Sequence, residues 1–109
     1  MITDTRSRAS PAAQRAFEGK VVLVTGASTG IGRATAIAFA NAGARLILGD
    51  IDKRSADSAE LIVAAGGEAR FVPTDVGDPE SVRALVEATV QTYGRLDAAF
   101  NNAGLLPPT

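Results

Sequence analysis

Between Lys20 and Arg33 the chain reads Lys-Val-Val-Leu-Val-Thr-Gly-Ala-Ser-Thr-Gly-Ile-Gly-Arg. Val21 to Val24 is an unbroken apolar run, as expected of a strand covered on both faces in a parallel sheet. Gly26, Gly30 and Gly32 follow, and past Gly32 the sequence turns alanine-rich and helical. A strand that passes through glycines into a helix N-terminus makes an anion site. Backbone N–H groups point outward, no Cβ blocks a close approach, and the helix dipole favours negative charge. A pyrophosphate suits that geometry. The spacing is G-x-x-x-G-x-G, which differs from the common dinucleotide fingerprint G-x-G-x-x-G. No Gly-Lys-Ser/Thr follows, so the turn is not a P-loop. Three glycines also suit a purely structural turn, and the rest of the chain has to choose.

At 109 residues the chain holds one small domain with a core of its own. A net charge of -1 and no basic cluster argue against nucleic acid as a partner. With no Cys and no His, the sequence offers neither a disulfide framework nor the commonest metal ligand and general base, and no metal site is expected. No apolar run is long enough to span a membrane. Residues 1–17, with Arg6, Arg8 and Arg15 among Ser, Ala and Pro11, read as a flexible tail ahead of a domain at 18–109.

From the first strand onward, strands and helices alternate. Helix one is expected from Ile31 to Ala42, with Ala34, Ala38 and Ala42 letting it lie close to a sheet, and Gly43 as its stop. Strand two is Arg45–Asp50. Helix two runs from Lys53 to Ala65 and ends at Gly66-Gly67. Strand three is Ala69–Asp75, and Pro73 assigns it to a sheet edge. Asp78-Pro79 starts helix three, Asp as N-cap and Pro at N1. That helix lines Val82, Leu85, Val86, Val90 and Tyr93 on one stripe, and Gly94 ends it. Strand four is Leu96–Asn101. The pattern predicts a doubly wound α/β fold: a parallel sheet in the order 3-2-1-4, right-handed crossovers, and helices on both faces. Strand four is then the outer strand beside strand one, with Ala98, Ala99 and Phe100 open to solvent, so the 109 residues alone are expected to be weakly stable.

In that order Gly26, Asp50, Asp75 and Asn101 all fall at the carboxyl end of a strand, along one sheet edge. Asp50 lies roughly 20 residues beyond the glycine turn, the offset of a ribose-binding acid. A carboxylate there accepts both hydroxyls of an adenosine ribose and repels a 2′-phosphate, which favours NAD over NADP. Lys53 and Arg54 pull the other way, since a cation accommodates a phosphate; Thr29, rather than a basic residue, before Gly30 supports NAD. Asp50 also suits the start of a turn. Asp75 has two suitable roles: acceptor for the adenine amino group, with Val76 against the ring, or cap of the turn before Asp78-Pro79. In Asn101-Asn102-Ala103-Gly104 small residues let a sugar or ring lie on the backbone, and the same residues are ordinary turn chemistry.

Taken together, Thr25-Gly-Ala-Ser-Thr-Gly-Ile-Gly32, Asp50, Asp75-Val76 and Asn101-Asn-Ala-Gly104 resemble the short-chain dehydrogenase/reductases, in order and in spacing, from about Lys20 to Gly104. The resemblance implies a partial Rossmann-type domain, the N-terminal cofactor-binding half of an oxidoreductase. Gly26, Ser28, Thr29, Gly30, Ile31 and Gly32 then cradle the phosphates. Asp50 and Ile51 hold the adenosine ribose, Asp75 and Val76 the adenine. Asn102, Ala103 and Gly104 border the nicotinamide-side ribose, and Asn101 braces the sheet. The family's catalytic Tyr, the Lys four residues after it, and its Ser lie downstream of this motif. Here Thr109 comes five residues after Gly104, and the only Tyr, Tyr93, is followed four residues later by Asp97, so no catalytic residue is assigned. The complete protein is expected to move hydride between NAD and an alcohol or carbonyl substrate, as a cytoplasmic homo-oligomer. A dinucleotide-binding module without catalysis, or an inert truncated product, are the alternatives for the 109 residues.

Overall fold

The computed structural model describes residues 16–102. Seven elements alternate: β1 (Val21–Thr25), α1 (Gly30–Asn41), β2 (Arg45–Asp50), α2 (Arg54–Ala64), β3 (Glu68–Pro73), α3 (Pro79–Tyr93) and β4 (Ala98–Asn101). All strand pairs are parallel and the sheet order is β3-β2-β1-β4, as expected. Every residue of β1 is buried, and so is the middle of β2. These two central strands therefore carry the apolar runs, because both of their faces meet helices.

The strand alternation divides the core in two. Val22, Val24, Leu46 and Leu48 face α1 and α2, where they meet Ala36, Ala59 and Ile62. Leu23 and Ile47 face the other way, toward Leu85 of α3. Pro73 closes β3 on the sheet edge, where its missing N–H costs no ladder bond. On the opposite edge Ala98 and Ala99 are exposed, as expected of an outer strand. Phe100 is not: it points to the same face as Val24 and packs half-buried against the α1–α2 core.

Two helix faces differ from the sequence expectation. Ala34 and Ala38 of α1 are exposed; Gly32 and Ala36 are buried instead, with Ile37, Phe39 and Ala40 beside them. The close approach of Gly32 to the β1 turn fixes the phase of the helix. On α3 the buried residues are Leu85 and Thr89, whereas Val86 and Val90 are exposed. Among the described residues α3 is the one helix on its side of the sheet, and the flank of its apolar stripe stays exposed. The Thr89 hydroxyl is satisfied within the helix, donating to the Leu85 carbonyl at 2.8 Å.

Several ends are set by side chains. Asp78 caps α3, its Oδ1 accepting from the Glu80 amide at 3.1 Å, with Pro79 next. Strand β4 starts at Ala98 rather than Leu96 because Asp97 is engaged with the start of β1: its amide donates to the Val21 carbonyl at 2.9 Å and its carboxylate accepts the Val21 amide at 2.8 Å. Phe17, which the sequence reading placed in the tail, belongs to the fold. Its amide donates to the Ala42 carbonyl, and its ring meets Phe39 edge-on at 5.0 Å. Among the described residues, no helix is long and apolar enough to cross a membrane, and no cluster of three or more His, Cys, Asp or Glu could hold a metal ion.

Candidate functional site

The turn between β1 and α1 needs its glycines. Gly26 and Gly30 have φ of +71° and +60°, where a side chain strains the backbone. Gly32 is required by space: a Cβ there would sit 1.8 Å from the Gly26 carbonyl oxygen and 2.8 Å from Asn102 Nδ2. Thr29, the N-cap of α1, is extended, and among the described residues no side chain caps the helix; its first turn holds no acidic residue. The leading N–H groups of α1 thus keep their hydrogen-bonding capacity and their positive field for a ligand. Ser28 is half-buried and Thr29 exposed in the turn, and Ile31 stands 68% exposed beside it.

Asp50 ends β2 next to this turn. Its Oδ1 accepts the Asp52 amide at 3.1 Å and its Oδ2 accepts the Ser55 hydroxyl at 3.1 Å. Ile51 follows, 74% exposed. Arg54, one of the two cations near Asp50, already has a partner: its guanidinium forks onto Asp52, with Nη2 at 2.6 Å from Oδ2 and Nε at 3.0 Å from the same oxygen. The side-chain bond from Arg54, and then its backbone bond, bring the Asp52 carboxyl down to about 2. Asp97 is lowered in the same sense, chiefly by Arg95 and next by the Val21 amide.

Both carboxyls lie below their unfolded value of about 4, so each adds stability above that pH and loses it as the pH falls through the lower folded value. Denaturation midpoints measured between about pH 5 and about pH 2 are therefore expected to fall with acid. Asp97→Asn should flatten part of that slope. The exposure of Asp52 and Arg54 keeps their share small.

The third and fourth strands supply the remaining positions. Asp75 is exposed just past β3; its Oδ1 accepts the Gly77 amide at 2.9 Å, and its own amide donates to Ser81 Oγ at 2.8 Å. It does form the turn ahead of α3, and Val76 stands 40% exposed next to it. At the end of β4, Asn101 braces the sheet, its Oδ1 accepting the Thr25 hydroxyl at 2.7 Å. The Asn102 amide nitrogen donates to the Gly26 carbonyl at 3.1 Å, joining the fourth strand to the glycine turn. Ala103 and Gly104 lie outside the described residues. Gly26, Asp50, Asp75 and Asn102 therefore sit at the carboxyl ends of four adjacent strands, the edge at which doubly wound sheets take ligands. The exposed Ile31, Ile51 and Val76 add apolar surface along it.

Sequence reasoning missed the support behind this edge. Ser55 and Ser58 of α2 are fully buried. Ser58 donates to the Ala27 carbonyl at 2.6 Å and accepts Arg33 Nε at 2.8 Å, while Arg33 Nη2 reaches the Arg54 carbonyl at 3.4 Å. The signal was present: serines three residues apart, on the helix face that also carries Ala59 and Ile62.

The sequence profile of the short chain dehydrogenase family matches residues 20–109. An uncharacterized oxidoreductase of Thermotoga maritima is 46% identical over 92 residues, which make up 84% of this chain and 36% of that protein. A short chain dehydrogenase/reductase from Burkholderia phymatum, solved in complex with NAD, is 38% identical with a TM-score of 0.74, covering 76% of this chain and 30% of that one. A metagenomic short-chain oxidoreductase solved in complex with NADP is 36% identical with a TM-score of 0.72, covering 76% of this chain and 38% of that one. The chain spans about a third of the length of the curated relatives it matches.

Proposed function

Because the chain belongs to the short chain dehydrogenase family, we propose that it forms the dinucleotide-binding half of an oxidoreductase that moves hydride between a nicotinamide cofactor, NAD in preference to NADP, and an alcohol or carbonyl substrate. The observation that carries this reading is the meeting of the glycine turn, Asp50, Val76 and Asn102 at the carboxyl ends of neighbouring strands. A dinucleotide fits the residues present: the uncapped start of α1 suits a pyrophosphate, and Gly32 lets that helix start close against the Gly26 turn. Ser28, Thr29 and Ile31 would hold the phosphates, Asp50 and Ile51 the adenosine ribose, and Asp75 and Val76 the adenine. Asn102, with Ala103 and Gly104, would border the nicotinamide-side ribose. When bound, the nicotinamide supplies the hydride donor or acceptor; the chain's own residues bind it and orient it.

The NAD preference rests on Asp50. Its carboxylate accepts ribose hydroxyls and repels a 2′-phosphate, and the pairing of Arg54 with Asp52 leaves that guanidinium engaged elsewhere. The test is a calorimetric titration of the native gene product with NAD and with NADP. Asp50→Ala should weaken NAD binding by about 10- to 100-fold, the worth of hydrogen bonds to a charged group, and leave NADP unchanged or tighter. Equal wild-type affinity for the two would overturn the NAD preference. Binding of neither would overturn the whole reading, and binding without oxidation of any alcohol would leave a module that lacks catalysis.

A further inference from the structure

We infer that Ser55 is a specificity-determining positioning residue: from within α2 its buried hydroxyl holds the Asp50 carboxylate in the orientation that separates NAD from NADP. This rests on the dinucleotide reading above and goes beyond it to a residue that touches no ligand. A carboxylate at a strand end rotates about two side-chain bonds, and its charge moves with it. Here each oxygen is pinned once, Oδ1 by the Asp52 amide and Oδ2 by Ser55, both at 3.1 Å. Each carboxylate oxygen has about two acceptor sites, so each keeps one for an incoming hydroxyl. Ser55 is 0% exposed, so a truncated side chain is not readily replaced by bulk water.

The same helix contains its own control. Ser58, three residues on and on the same face, is equally buried but holds the Ala27 carbonyl of the glycine turn and the Arg33 side chain. That turn serves the pyrophosphate, which NAD and NADP share. Ser55 thus acts on the part of the site where the two cofactors differ, and Ser58 on the part where they are alike. A general loosening of α2 would move both affinities together, so the ratio between them reports the positioning role alone.

The experiment titrates NAD and NADP into the native gene product and its Ser55→Ala and Ser58→Ala variants, with thermal melts as a folding check. Ser55→Ala should narrow the preference for NAD over NADP by about fivefold, the worth of one hydrogen bond. Ser58→Ala should weaken both cofactors by a similar factor and leave the ratio within about twofold. A Ser55→Ala ratio within about twofold of wild type overturns the inference while leaving the cofactor reading intact. Failure of the wild-type protein to bind either cofactor overturns both. Should Ser55→Ala unfold, Ser55→Cys, similar in shape and a weaker donor, is expected to narrow the ratio to a lesser degree, and an unchanged ratio there overturns the inference equally.

Discussion

Gly32→Ala is expected to destroy the site and destabilise the fold together. The added methyl would lie 1.8 Å from the Gly26 carbonyl oxygen and 2.7 Å from its carbon, both backbone atoms of a turn already held by Asn102. Asn102 Nδ2, at 2.8 Å, could swing away, but the two closer atoms are backbone, so α1 has to withdraw from β1. The expected cost is roughly 3 kcal/mol, at the upper end for overpacking because backbone has to move. Dinucleotide affinity should drop at least about 100-fold, as the helix N-terminus leaves its position. Urea denaturation and NAD titration of the same preparation check both. Near-wild-type stability with intact binding would show that the turn does not need a glycine there.

The second large effect is expected at Leu85. It is the fully buried apolar residue of α3 and fills the notch opposite Gly49, where a Cβ would come within 2.6 Å of its Cδ2. Leu85→Ala empties that notch beneath Leu23 and Ile47. The loss should be about 2–5 kcal/mol, a large fraction of the 5–15 kcal/mol typical of a whole domain. Val90→Ala, five residues on but exposed, should change stability by no more than about 0.5 kcal/mol. Denaturant midpoints of the pair measure the contrast, and similar losses for both would mean that α3 packs on a broader face than Leu85 and Thr89.

That contrast marks how much the sequence reveals. Strand order and the placing of Gly26, Asp50, Asp75 and Asn101 along one edge were legible because their signals are local: short apolar runs, with a glycine, a carboxylate or an asparagine where each run stops. The facing of α1 was not, because an alanine-rich helix looks alike on all sides and the choice is made by a tertiary contact, Gly32 against Gly26. The stripe on α3 predicted a wider buried face than the described residues give it, with Leu85 and Thr89 buried and Val86 and Val90 exposed. Ser55 and Ser58 went unread because serine in a helix is expected in water. Their burial follows from acceptors, Asp50 and the Ala27 carbonyl, that only the folded chain brings within reach.

The hydrogen bond from Asn102 to Gly26 spans 76 positions of sequence, and that separation has a consequence for how the site comes into being. Synthesis runs from the N-terminus, so the ribosome delivers the glycine turn long before the residue that fastens it. Until β4 docks beside β1, the Gly26 carbonyl lacks that partner and the turn lacks one of its restraints. The glycine turn, the proposed phosphate cradle, is therefore begun early and finished late. In a nascent chain, dinucleotide capture should lag behind the pairing of β1 with β2 and set in with the arrival of the fourth strand.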